Sequence, residues 1–234
     1  MQRRTFITAA GTAGLIGLAG CSGVPDDLTF TAAPATIDPS AASEAGYETK
    51  GANSLELERT VDVGGESRTV QATSWITTYA GGNGPVVVAS TPNATVLGQS
   101  LNPLARLSGS ELITRLLEEF GSGSGLSINN LEAAGTTPIT VFETEATVEE
   151  FTAAVETSGG GGPANQFTGN SSSSGGVPIR LYLLSVSHEY SDGNDVISAL
   201  AFQPQKNVAP ETIYELYRSL SHPQEPPEST NSSQ

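Results

Sequence analysis

Residues 179–202 read IRLYLLSVSHEYSDGNDVISALAF, and they decide the fold. In the first arm Tyr182, Leu184, Val186, His188 and Tyr190 fall on one side of an extended chain; residues 196–202 supply a second, more apolar arm. Side chains of a strand alternate between two faces, so this spacing predicts strands over 179–190 and 196–202. Ser191-Asp192-Gly193-Asn194 joins them as a turn, because Gly and Asn accept positive φ.

Working outward, the same grammar recurs. Leu55, Leu57, Arg59, Val61 and Val63 alternate with polar neighbours, Gly64-Gly65 suits a turn, and 70–79 is rich in β-branched and aromatic residues, which predicts a second hairpin. Pro85 and Pro92 bracket a short apolar run that reads as a buried strand. Residues 139–142 and 146–155 predict a third hairpin turning at Glu143-Thr144. Two helices interrupt the strands. Ser108 with Glu111 forms a capping box ahead of the stripe Leu112, Ile113, Leu116, Leu117 and Phe120, and Gly121 ends it. Pro210 opens the other, with Ile213, Leu216, Tyr217 and Leu220 at helical spacing before Pro223. The expected fold class is α+β: an antiparallel β-sheet built from hairpins, with two main helices packed against it.

The N-terminus reads as an address. Arg3 and Arg4 precede an apolar run over 6–19 and then Leu18-Ala19-Gly20-Cys21. That run is Gly- and Ala-rich and shorter than the roughly 20 strongly apolar residues of a membrane-spanning helix, so it suits a signal that is removed. Arg-Arg-Thr-Phe-Ile resembles a twin-arginine export signal, and Leu-Ala-Gly-Cys resembles a lipobox, whose cysteine is alkylated by lipid before cleavage. The expected organisation is a signal peptide over 1–20, a tether over 21–46, one domain over 47–222 with a Gly/Ser-rich insertion at 158–176, and a polar tail over 223–234.

Composition narrows the partners. The net charge is −15, and loss of Arg3 and Arg4 makes it two units more negative, which disfavours nucleic acid. Only Lys50 and Lys206 are lysines, while Ser and Thr abound. This is the surface of a protein that stays soluble in strong salt, where the Debye length shrinks to about 3 Å and acidic self-repulsion is screened. Cys21 is the lone cysteine, so the chain has neither an internal disulfide nor an all-cysteine zinc site. No cofactor or metal is expected.

The order of these features resembles a family of haloarchaeal lipoproteins of unknown function. The likeness rests on the signal with its lipobox, on Ser90-Thr91-Pro92, Val96-Leu97-Gly98-Gln99 and Leu101-Asn102-Pro103, on the capped helix, and on a terminal helix ending near His222. It implies a halophile's exported protein held by lipid on Cys21 at the outer face of the cytoplasmic membrane. More distantly, the order of hairpin, strand, helix, paired strands and helix resembles the Mog1/PsbP-like fold, whose small export-linked lipoproteins bind partners.

Chemistry is sparse. His188 is the one plausible base for a Ser-His-Asp arrangement, yet its strand pattern makes it a half-buried structural or surface residue. His222 reads as a partner for helix C-terminal carbonyls. Glu143, Glu145, Glu149 and Glu150, with Asp192 and Asp195, read as a solvated acidic face. Trp75 and Tyr79 suit a core or a groove. No nucleophile elbow or phosphate loop occurs, and no catalytic or metal-ligating residue is assigned. Sequons at Asn93, Asn170 and Asn231 are candidate glycosylation sites. The leading expectation is a lipid-anchored binding or scaffolding protein whose partner is a protein or small molecule. A cell-surface hydrolase using carboxylates or His188, or a structural envelope component, are the alternatives.

Overall fold

Long alternating segments find each other in the computed structural model, which describes residues 27–63, 66–81, 83–96, 99–100, 107–120, 126–157 and 176–226. The order is β1 (Asp27–Thr31), β2 (Thr36–Ile37), α1 (Pro39–Glu44), β3 (Tyr47–Val63), β4 (Glu66–Gly81), β5 (Val86–Pro92), β6 (Thr95–Val96), β7 (Gln99–Ser100), α2 (Gly109–Phe120), β8 (Leu126–Val141), β9 (Thr144–Thr157), β10 (Val177–Tyr190), β11 (Gly193–Pro204), α3 (Pro210–Arg218) and β12 (Leu220–Ser221). Eight strands form one sheet in the order β1-β4-β5-β11-β10-β9-β8, with β3 also paired to β4. The pair β1–β4 is parallel and the other pairs are antiparallel.

This corrects the expected α+β class. The chain is mostly β, its sheet is mixed, and the helices are small: α2 has 12 residues and α3 has nine. The reason lies in strand length. The β3–β4 and β8–β9 hairpins run 14 to 17 residues per arm, and bulges between Asn129 and Glu132 and between Ala133 and Gly135 hide the extension of β8 from period-two reading. The β8–β9 turn is Phe142-Glu143, one residue earlier than expected, and both residues have positive φ, 50° and 60°. In the β10–β11 hairpin the loop is Ser191-Asp192, so Gly193 and Asn194 belong to β11.

Each face of the sheet buries its own cluster. On one, Val88, Val148, Leu184, Ile197 and Ala199 meet Ile213, Leu216 and Tyr217 of α3 and Ala42 of α1. On the other, Leu112, Ile113 and Leu116 of α2 cover Phe151, Leu181, Leu183 and Phe202. Of the helical stripes read from sequence, Leu112, Ile113 and Leu116 of α2 and Ile213, Leu216 and Tyr217 of α3 are buried, whereas Leu220 lies beyond the helix in β12. Of the stretch expected as a tether, residues 27–46 carry β1, β2 and α1, and Ala35, Ile37 and Ala42 are buried. Asp38 caps α1 by accepting from the N–H groups of Ser40 and Ala41, ahead of Pro39 at the first turn. Residues 158–175 of the expected insertion and 227–234 of the expected tail lie outside the described residues.

Candidate functional site

The β10–β11 hairpin builds one wall. Its register places His188 opposite Asp195, and period two puts Tyr190 on the same face two residues on. The second wall comes from the chain after α3. Leu220 and Ser221 pair with Ile37 and Thr36, Asp38 donates its N–H to the Ser219 carbonyl, and Gln224 donates its N–H to the Pro34 carbonyl. Held on both sides, His222 is buried directly over Asp195.

Asp195 is the anchor of this group. Its side chain is 2% exposed, and one oxygen, Oδ2, lies 2.9 Å from the Ala33 nitrogen, 3.1 Å from the Tyr190 hydroxyl and 3.1 Å from Nε2 of His222. A buried carboxylate needs donors to offset its lost hydration, and here a backbone N–H, a phenol and an imidazole supply them. The Ala33 N–H is free for this because β1 ends at Thr31, after which only Ala32 still donates to β4, at the Thr73 carbonyl. Burial, and then the Asp195 charge, push the Tyr190 hydroxyl up to about 12. It therefore stays a donor through neutral pH.

The chain of contacts continues outward. Nδ1 of His222 lies 2.8 Å from Nδ1 of His188. The ring centroids are 5.1 Å apart, longer than the nitrogen separation by about the two ring radii, so the nitrogens point head-on at each other. Two imidazoles sharing one metal at about 2.05 Å with the same nitrogen spacing would bring their centroids to roughly 4.4 Å. The contact has the geometry of an N–H···N hydrogen bond between the two rings. Among the described residues no group of three or more His, Cys, Asp or Glu side chains is placed to hold a metal ion.

His188 is half-buried and sits between two rings, Phe142 stacked at 4.3 Å and Tyr190 at 6.5 Å. Phe142 reaches it from the β8–β9 turn, where its positive φ is strained for an aromatic residue, by roughly 1–2 kcal/mol. Burial lowers the His188 pKa below its ordinary 6.5; the neighbouring His222 lowers it further, and Asp195 opposes both.

A second polar group lies farther along the same sheet face. Glu150 accepts from the Tyr214 hydroxyl at 2.5 Å and from Thr137 at 3.3 Å, and it pairs with Arg180 at 3.4 Å. It fastens α3 to β8, β9 and β10. The expected acidic face is thus divided. Glu143, Glu145 and Asp192 are exposed, whereas Glu150 and Asp195 are built into the domain. His222 departs from its expected role too: it bonds a carboxylate instead of helix carbonyls. Tyr79 is buried and accepts from the Ile37 N–H at 2.7 Å; Trp75 is half-buried. Asn93 is half-buried, with its N–H on the Asn194 carbonyl and its amide on the Asn194 side chain. Arg3, Arg4, Cys21, Asn170 and Asn231 lie outside the described residues.

A mostly β domain carrying an Asp-His-His network at one end of its sheet is the class that fold and site define. Residues 34–221 match the model of a domain of unknown function, DUF6517, and the chain belongs to that family. Among solved structures, cyanobacterial PsbP (CyanoP) from Synechocystis sp. PCC 6803 is a distant likeness, at 10% identity and a TM-score of 0.31 over 89% of this chain and 99% of that one. No curated protein matches the chain.

Proposed function

We propose that the protein is a lipid-anchored, extracytoplasmic binding or scaffolding module adapted to high salt. The observation that carries this reading is Leu18-Ala19-Gly20-Cys21 following Arg3-Arg4, with β1 beginning at Asp27. Five residues separate the cysteine from the first strand, and extended chain gains at most about 3.6 Å per residue, so a lipid on Cys21 holds the domain within about 20 Å of the membrane. The long sheet supports a binding role. Among the described residues β3 and β8 pair on one side only, which leaves two strand edges to receive a partner. Among the same residues, no helix is long and apolar enough to cross a membrane.

Fractionation in native salt tests the anchor. The wild-type chain partitions with membranes and carries lipid mass on Cys21, while Cys21→Ser leaves it in the soluble fraction. Equal partitioning of both forms overturns the anchor. Crosslinking tests the binding role: a reproducible partner captured by the wild type is lost when the exposed β8 residues Ala134 and Thr136 become lysine. In the same proposal Asn93, Asn170 and Asn231 are glycosylated, which intact-mass measurement of the native protein reads directly.

The contact of His188, His222 and Asp195 favours a second reading, a cell-surface hydrolase. Its base would be His188.

A further inference from the structure

We infer that Asp195, His222 and His188 form a proton relay whose working end is Nε2 of His188, a general base that activates water against ester-type carbonyl substrates. The inference deepens the hydrolase reading and rests on it.

Direction follows from donors and acceptors. The Asp195 carboxylate only accepts, and its Oδ2 faces Nε2 of His222, so that nitrogen carries the hydrogen. Neutral His222 then has its lone pair at Nδ1. In that neutral form the lone pair points at Nδ1 of His188, which is then the donor; an imidazolium at His222 would reverse the direction. His188 is left with a lone pair at Nε2, and among the described residues that nitrogen has no hydrogen-bond partner. The Asp195 carboxylate thus selects, two rings away, the tautomer with a lone pair at Nε2 of His188. The groups that face His188 are His222 and Asp195 from the far side, Tyr190 from its own strand and the uncharged Phe142 ring from the turn. The strained turn that carries Phe142 fits a site that must hold the imidazole in one orientation.

The step balances without a co-reactant. One O–H bond of water breaks as its proton passes to Nε2 of His188. The Nδ1 proton of His188 moves to Nδ1 of His222, so the positive charge comes to rest beside the Asp195 carboxylate. The water oxygen bonds to the acyl carbon, the ester C–O bond breaks, and the relay runs backward to protonate the departing alkoxide. The products are an acid and an alcohol. His188 is the catalytic residue; His222 and Asp195 are positioning residues.

The test uses the full chain in multimolar salt with p-nitrophenyl acetate as the probe, and diethyl pyrocarbonate as a readout independent of turnover. The wild type should hydrolyse the ester with a rate that holds through the ordinary imidazole range and falls only at lower pH, because the His188 pKa is depressed, and one histidine should react quickly with the reagent. His188→Gln should remove both, lowering turnover about 100-fold or more. Asp195→Asn, which no longer demands a hydrogen on His222, should lower kcat with KM little changed and slow the modification. His222→Gln, checked for folding by circular dichroism, should act as Asp195→Asn does. Turnover that survives His188→Gln overturns the relay and leaves the hydrolase reading to other groups. Fast modification of His188 without any turnover overturns the hydrolase reading and the proposed step with it. Modification rates equal in the wild type and Asp195→Asn overturn the directionality.

Discussion

His188 titrates against its surroundings, and the sign is worked out from its lowered pKa. Because burial and His222 disfavour the charged ring in the folded state, the unfolded chain binds the proton more readily. Stability therefore falls as pH drops through the ordinary value near 6.5 toward the depressed one. Urea denaturation at pH 7.5 and 5.5, at constant salt, should show lower stability at pH 5.5, and His188→Gln should shrink the difference. At the opposite extreme the raised hydroxyls of Tyr79, Tyr182, Tyr190 and Tyr217 contribute stability that is lost only above pH 10. A glycine gives a separate residue-scale test. Gly81 has φ +128°, and a Cβ there would lie 2.2 Å from the Gly46 carbonyl oxygen, whereas Gly135 has open space. Gly81→Ala should destabilise by more than about 1 kcal/mol in urea; Gly135→Ala should leave the midpoint nearly unchanged.

At the scale of elements, the β8–β9 turn carries strain that one substitution should relieve. Glu143 is exposed with φ +60°, and two-residue hairpin loops of this kind favour glycine at the second position. Glu143→Gly should raise stability by about 1 kcal/mol, provided Phe142 keeps its stack on His188, and thermal denaturation reads the change. In α3, by contrast, Ile213 is fully buried, so Ile213→Ala should cost about 2–5 kcal/mol. These elements also show where sequence is legible. The stripes of α2 and α3 and the hairpin pattern of β10–β11 stand out because each buries one face, so period and burial coincide. The first half of β8 does not stand out, since its bulges break the alternation and Asn129, Asn130 and Glu132 are exposed. The site was half-legible. A two-residue loop at Ser191-Asp192 pairs His188 with Asp195 by counting alone, whereas the four-residue turn expected there hides the pairing. His222 reaches Asp195 only through α3 and the β12–β2 pairing, a tertiary event that local spacing cannot encode.

For the whole molecule, charge decides behaviour in solution. A net charge of −15 repels itself at low ionic strength, and molar salt screens that repulsion. Denaturation in 0.1 M and in 3 M KCl should show a marked gain in stability at the higher salt; equal midpoints would remove halophily from the account. The sheet carries two separate devices on one face. The group of Glu150, Tyr214, Thr137 and Arg180 fastens α3 to the sheet, and the group of Asp195, His222 and His188 stands at the far end beside the β8–β9 turn. The first joins a helix to three strands through Glu150, although among the described residues the buried Nε of Arg180 has no partner. The second has one ring nitrogen to spare, and the candidate chemistry rests on it. Nitrogen-15 NMR of the two imidazoles at pH 7.5 in native salt measures this directly. The account predicts hydrogen on Nδ1 of His188 and on Nε2 of His222, with Asp195→Asn disturbing both rings. Hydrogen on Nε2 of His188, unchanged by that substitution, would contradict it.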